Sequence, residues 1–551
     1  MPQRSFVDAL YRHRLSHSSA FDARGALPAL PSHRGRKDDF EPVVRMAAEE
    51  RVPIPGTERK VWPGSHQAEP LVADHDVLLT AWLRPRRGGE LDADRARALG
   101  ATPPSRRAYI DRKMLAEQTG ADPADVEALR RYCERFALTI AETQWRSVSV
   151  SGSLERLIEA FGATVAIFED DSQRRFRHRS NALHVPADIA AIVHGIFGLH
   201  QWPRSRKLGS LARHSTPLQA RDVATRYQFP EGDGRGQTIG VVQLRGLFKQ
   251  SDFDQCMKAQ GLIVAAPIVK RVDNAAVAHE LATTKDLEAA LDVQIIGSLA
   301  PGARIVVYEA PDDERGFLDA IREAVFDTEH APSVLSISYG WSEHLWTPVA
   351  LHILDDLLAA AALAGMTVFC SSGDNGAELD YDGSPHVLAP ASSPFAIACG
   401  ATVIPAGANA QEQAWEKTGG GFSERFDIPT WQDAVRAVAS HHRMHAGRGV
   451  PDVAAQEQPG YYVIMDGTEL AMGGTSSVAP LWAALTARVN QRLGVPIGFF
   501  SPILYRQSAE PLLHDITAGS NGRFQAGAGW DPCTGLGIPI GVAIEKTLRA
   551  M

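Results

Sequence analysis

The stretch Gly473-Gly474-Thr475-Ser476-Ser477-Val478-Ala479-Pro480, running into Leu481-Trp482-Ala483-Ala484-Leu485, constrains the fold more than any other segment of the chain. Two glycines permit a sharp backbone turn, and the apolar run after them reads as a buried helix. Proline suits a helix only in its first turn, so Pro480 is expected there. Ser476 then falls at a helix N-terminus, where unpaired N–H groups and the helix dipole favour developing negative charge. A glycine-capped core helix beginning with serines satisfies the same local pattern. The functional alternative is a nucleophilic serine, which needs a base and an oxyanion partner supplied from elsewhere.

A chain of 551 residues has room for two or more domains with sizeable cores. Hydrophobic content of 44% and charged content of 22% describe an ordinary globular protein, and a net charge of -9 argues against a nucleic-acid partner. No run is long and apolar enough for a membrane span, and Met1 to Arg14 lacks the apolar core of a secretory signal. The five cysteines are scattered, with no CxxC spacing, so neither a zinc site nor a disulfide framework is indicated.

Four regions emerge along the chain. Residues 1–70 are rich in Arg, His, Pro and Glu and read as a loosely ordered leader. Residues 71–200 carry strand patterns at Val77–Leu83, Leu138–Ala141, Val148–Val150 and Val165–Phe168, and helical patterns at Asp122–Arg135, Leu154–Phe161 and Ile189–Phe197. They predict a small α+β domain. Residues 201–217 are basic, polar and marked by proline, as expected of a linker open to proteolysis. Residues 218–551 alternate short apolar strands, from Ile239–Leu244 to Phe395–Cys399, with helices at 285–299, 314–326 and 350–364. That alternation predicts an α/β fold, a parallel sheet flanked by helices.

A histidine base for Ser476 is disfavoured. The Gly-Thr-Ser turn resembles that of subtilisin-type proteases, which also carry an Asp after the first strand and a His-Gly-Thr segment. Here the first strand of the large domain, Ile239-Gly240-Val241-Val242-Gln243-Leu244, has no Asp, and His-Gly-Thr occurs nowhere in the chain. Carboxylates offer the alternative. Glu288 and Asp292 stand four apart on a predicted helix and share a face. Composition alone yields roughly eight such acidic pairs, but this one is interleaved with Ala289, Ala290 and Leu291 and followed by Val293, Ile295 and Ile296. Two carboxylates against apolar surface share a proton rather than both ionising. A third piece, Ser371-Ser372-Gly373-Asp374-Asn375-Gly376, follows a strand end, where ligand sites of open α/β sheets lie. Protonated, Asp374 would donate a hydrogen bond to an oxyanion. A plain Asp-Asn-Gly surface turn is the competing reading.

These elements together resemble the sedolisin family of serine-carboxyl peptidases, most closely its kumamolisin branch. The resemblance runs from about residue 75 to the C-terminus and includes Leu299-Ala300-Pro301-Gly302-Ala303, Ser336-Ile337-Ser338, Gly419-Gly420-Gly421-Phe422-Ser423 and Arg448-Gly449-Val450-Pro451-Asp452-Val453. It implies a subtilisin-like domain preceded by a ferredoxin-like activation domain that covers the site until the linker is cut. It implies that Ser476 attacks a peptide carbonyl, Glu288 is general base and then acid, Asp292 shares its proton, and protonated Asp374 stabilises the oxyanion. An acidic optimum follows. The resemblance also implies one Ca2+ ion held by Asp515, Ile516, Gly527, Gly529 and Asp531, a monomer acting on proteins or peptides, and secretion. A non-catalytic relative acting as a binding or inhibitory module is the alternative of a different class.

The chain departs from the family pattern in three places. It has Gln243 where kumamolisin-type members have Glu, Tyr339 where they have Trp, and Leu388 where some have Asp near the pocket for the residue preceding the cut. The first two should displace the pH optimum. The third should weaken any preference for basic residues there.

Overall fold

The computed structural model describes residues 50–551 except 62–63, 70, 72–74, 172, 202–205, 208–209, 212–216, 245, 247, 273–285, 378–384, 406–410, 443 and 507–509. The smaller domain is built on four strands, β1 (Asp76–Leu83), β2 (Thr139–Gln144), β3 (Ser147–Ser153) and β4 (Val193–Phe197). They lie in the order β2-β3-β1-β4, antiparallel throughout, which is the ferredoxin-like arrangement. Helix α1 (Pro123–Glu134) joins β1 to β2, capped by the Asp122 carboxylate on Ala124 N–H. Helix α2 (Leu154–Phe161) starts at the Ser153 cap and ends at Gly162 in the left-handed region, φ 54°.

Two expectations are corrected here. Ile189–Phe197 is not a helix: a short turn, Ala187–Ala190, precedes strand β4. The continuous apolar run misleads because β4 is buried on both faces, so the period-2 alternation of a half-exposed strand is missing. Val193 and Ile196 pack into the small domain's own core, whereas Phe197 joins Trp82 in the core of the large domain. The leader, read as running to residue 70, contains strands Arg51–Pro53 and Ser65–Glu69, paired with His184–Pro186 and Thr164–Asp170. Its residues 1–49 lie outside the described residues.

The larger domain carries parallel strands β5 (Thr238–Leu244), β6 (Ile268–Arg271), β7 (Arg304–Ala310), β8 (Val334–Ile337), β9 (Thr367–Ser371), β10 (Ile397–Val403) and β11 (Val453–Gln458). Their order is β6-β7-β5-β8-β9-β10-β11, with a short antiparallel strand, Gln413–Ala414, also on β10. Cys370 in β9 and Cys399 in β10 are fully buried small core residues. On one face lie α3 (Asp286–Leu299) and a long helix (Thr475–Leu493), and on the other α4 (Glu314–Phe326) and α5 (Pro348–Leu363). The long helix is α6.

The small domain docks on the α4 and α5 side. Thr80 Oγ1 donates to Asp319 Oδ2 at 2.7 Å, Arg322 Nη1 to Ser147 Oγ at 2.7 Å, and Arg146 Nη2 to Asp356 Oδ2 at 2.5 Å. Arg59 pairs with Glu314. Among the described residues, no helix is long and apolar enough to cross a membrane.

Candidate active site

Helix α6 begins at Thr475 behind Gly474, whose φ of 96° only glycine adopts without strain. Ser476 is its second residue and is buried. Pro480 is not in the first turn but inside the helix. The reason is a tertiary contact. Pro480 has no N–H to give the carbonyl of Ser476, four residues earlier, and Ser338 Oγ lies 3.4 Å from that carbonyl. The same hydroxyl donates to Asp292 Oδ1 at 2.9 Å. Ser338 thus connects the nucleophile's backbone to the carboxylate pair.

Glu288 and Asp292 occupy one face of α3, which packs directly against α6, and both are buried. Burial pushes Asp292 well above the usual carboxylate range, the Glu288 carboxylate adds to the rise, and the Ser338 hydrogen bond opposes it. The phenol of Tyr339, also buried, is raised by burial first and then by the Glu288, Asp292 and Asp312 carboxylates. Gln243 is wholly buried at the end of β5, next to Leu244, whose backbone bonds to Tyr339.

Asp374 follows β9 and reaches α6 from the other side. Its Oδ1 accepts Thr475 N–H at 2.8 Å and Thr475 Oγ1–H at 2.7 Å. Its Oδ2 is buried and has no hydrogen-bond partner among the described residues. Burial holds Asp374 well above the ordinary carboxylate range; the two Thr475 bonds pull down, and Glu288 and Glu457 push up. The Ser476 hydroxyl is likewise buried without a hydrogen-bond partner among the described residues. The Leu388 side chain packs on Gly373, the residue before Asp374.

Sequence reasoning missed Glu457, at the end of β11. It is buried, its Oε2 accepts Gly474 N–H at 3.0 Å, and burial pushes it up to about 7. A Cβ on Gly473 would collide with its carboxylate, so the glycine pair serves this contact as well as the turn. The available signal was a charge closing the apolar strand Val453-Ala454-Ala455. Thr475 and Ser338 were inside recognised motifs but had been given no role.

Parts of the connecting segment line the site. Arg206 and Lys207 pair antiparallel with Gly340 and Tyr339. Ser210 and Leu211 pair antiparallel with Gly473 and Met472. One partner strand follows Ser338, and the other leads into Gly474-Thr475-Ser476. The rest of the expected cleavage region, 202–205, 208–209 and 212–216, lies outside the described residues.

The metal-ligand candidates form a second carboxylate cluster. Asp515 Oδ2 accepts Gly529 N–H at 2.7 Å, and Asp531 accepts the N–H groups of Gly527, Cys533 and Thr534 at 3.1, 2.8 and 2.9 Å. The Ile516 carbonyl lies 3.4 Å from Thr534 Oγ1. Asp515 Oδ1 is buried with no hydrogen-bond partner among the described residues, and burial pushes Asp531 up to about 6. Oxygen donors buried this way fit a hard divalent cation.

Comparison with known proteins agrees with this geometry. The pro-kumamolisin activation domain model matches residues 63–202, and the subtilase family model matches residues 274–502. Kumamolisin of Bacillus sp. (strain MN-32) is 37% identical over 540 residues, covering 91% of this chain and 96% of that protein. Tripeptidyl-peptidase 1 of Homo sapiens is 28% identical, covering 66% of this chain and 71% of its own. The solved structure of Pseudomonas sedolisin, a serine-carboxyl proteinase complexed with pseudo-iodotyrostatin, superimposes with a TM-score of 0.54 at 25% identity, covering 61% of this chain and 99% of that one. Fold and relatives together define a serine peptidase made as a zymogen behind an activation domain. The chain belongs to the sedolisin family of serine-carboxyl peptidases, as a relative of the kumamolisins.

Proposed function

We propose that the chain is an acid-acting endopeptidase in which Ser476 is the nucleophile, Glu288 the general base and acid, Asp292 its proton-sharing partner and Asp374 the oxyanion donor. The observation that carries this reading is the state of Asp374: one oxygen held by Thr475, the other buried and without a hydrogen-bond partner among the described residues, beside Ser476. Such a carboxyl keeps its proton and offers it where negative charge develops. Ser476 Oγ attacks the peptide carbonyl as its proton passes to Glu288. The tetrahedral oxyanion is met by Asp374 and a backbone N–H near Ser476. Glu288 then returns the proton to the leaving amine, and water repeats the sequence on the acyl-enzyme. Because the reaction needs protons on Asp374 and on the pair, activity falls as pH rises.

The connecting segment is the first substrate in this reading, and the bond cut lies between Lys207 and Ser210, because strands on either side of that interval lead to Ser338 and Ser476. Leu388 beside Gly373 supports a pocket without preference for basic residues. One Ca2+ ion is assigned to Asp515, Ile516, Gly527, Gly529 and Asp531, where it would hold the turn before the last helix. Proteins and peptides are the substrates, the enzyme is a monomer, and acid-dependence fits work outside the cell. The test is incubation of the full chain and a Ser476→Ala variant across acidic to neutral pH with calcium. Acid-dependent cutting between 207 and 210 in the parent and none in the variant is the expected result. A parent that stays uncut, and is inert on denatured protein after another protease opens the linker, would instead identify a non-catalytic relative.

A further inference from the structure

Outside the site just described, His344, His386 and Glu424 bring three ligand atoms within 4.8 Å of one another. His344 Nε2 lies 3.1 Å from Glu424 Oε2, and the two imidazole rings have centroids 3.7 Å apart at 48°. We propose that this cluster binds a zinc-class divalent cation that ties together three chain segments, the turn Glu343–Leu345, the stretch leading into Leu388–Ala389 and the strand Gly421–Asp427. Two imidazoles and one carboxylate are the donor set of many zinc sites, where ligands stand about 2.0–2.2 Å from the metal and a water completes the tetrahedron. Ligand atoms already within 4.8 Å need only side-chain rotation to reach that shell.

What makes the cluster a built site is the residue beneath it. Glu343 is wholly buried, and each ligand hangs from a group that Glu343 fixes. His344 is its chain neighbour. The Glu343 N–H donates to Val387 O at 3.1 Å, holding the residue after His386. Its carboxylate accepts Glu424 N–H at 2.6 Å and Ser423 Oγ–H at 2.7 Å, holding the third ligand's backbone. The first two segments are also joined as strands, Trp341 to Ala389 and Ser342 to Leu388. Supporting groups that orient ligands in this way are part of metal sites in general. None of these residues overlaps the calcium candidates. The cation would clamp the strand that starts at Tyr339, against which the connecting segment pairs.

The test uses the full Ser476→Ala chain at pH 7.5, saturated with Ca2+ and titrated with Co2+. One equivalent should give the visible bands of a tetrahedral ion, and Zn2+ should displace it while raising the thermal midpoint. Glu424→Gln, at an exposed side chain, should weaken Co2+ binding about tenfold or more. The His344→Ala/His386→Ala double variant should abolish the bands. Absent bands, bands that survive the double variant, or an unchanged affinity in Glu424→Gln would each overturn the proposal. The Glu424 result decides the matter if the double variant does not fold.

Discussion

Two groups of carboxylates with buried oxygens meet the cost of burial with different partners. Burial, with further carboxylates nearby, raises Asp292 and Asp374 well above the ordinary range against the opposing pull of the Ser338 and Thr475 hydrogen bonds. Asp515 and Asp531 accept backbone N–H groups from Gly529, Gly527, Cys533 and Thr534, and at Asp531 these bonds oppose the rise that burial causes. In the calcium site proposed above, a cation would keep Asp531, raised to about 6 by burial, ionised. In the proposed function, the first group reserves protons for chemistry and the second reserves charge for a cation.

The largest way to break the comparison is at Asp374. Asp374→Ala should lower kcat by about 10²–10³. Asp374→Asn should recover part of that loss and extend activity toward neutral pH, because an amide donates without ionising. Equal damage from both substitutions in pH–rate profiles would remove Asp374 from the oxyanion role. Chelation of calcium, or Asp531→Ala, should come next, costing about 3 kcal/mol of stability at saturating metal. Thermal unfolding with and without chelator checks it, and the pH limits of the remaining folded enzyme should not move.

A smaller effect should come from His194 on β4, where the domains meet. Burial, with help from Arg146 and His352, pushes its imidazole down to about 4 from 6.5, against the opposing pull of Asp356. The docked state therefore prefers the neutral ring. Its stability is full above pH 6.5 and declines as pH falls from 6.5 toward 4. His194→Gln should flatten the pH dependence of linker processing a few-fold in that window, measured by timed electrophoresis. The smallest shift is expected from Gln243→Glu. A carboxyl added behind the Glu288–Asp292 pair should move the neutral limb of kcat upward by less than about one pH unit.

The parallel sheet and the segments bearing Glu288, Asp292, Asp374 and Ser476 were legible because each chemical group sits in a contiguous motif at an element end. The structure brings those motifs together through contacts no motif contains: Ser338 to Asp292, Thr475 to Asp374, and Glu457 to Gly474. Glu457 escaped notice because its significance depends on a neighbour sixteen residues or more away in sequence, across β11 and the hairpin beyond it. Strand β4 was misread for a related reason, since burial by a second domain erases the alternation that marks a strand. Pro480 marked α6 correctly but not its first turn, because the carbonyl it leaves unpaired is approached by a distant hydroxyl.

Under the proposed self-cleavage, the paired stretches Arg206–Lys207 and Ser210–Leu211 set the clock of maturation. A segment held along both walls of the cleft is present at the nucleophile at an effective concentration that solution conditions do not dilute. Maturation is then first order in the chain, with one half-time across a hundredfold dilution. Each molecule becomes competent on its own schedule, independent of how many already-active neighbours surround it.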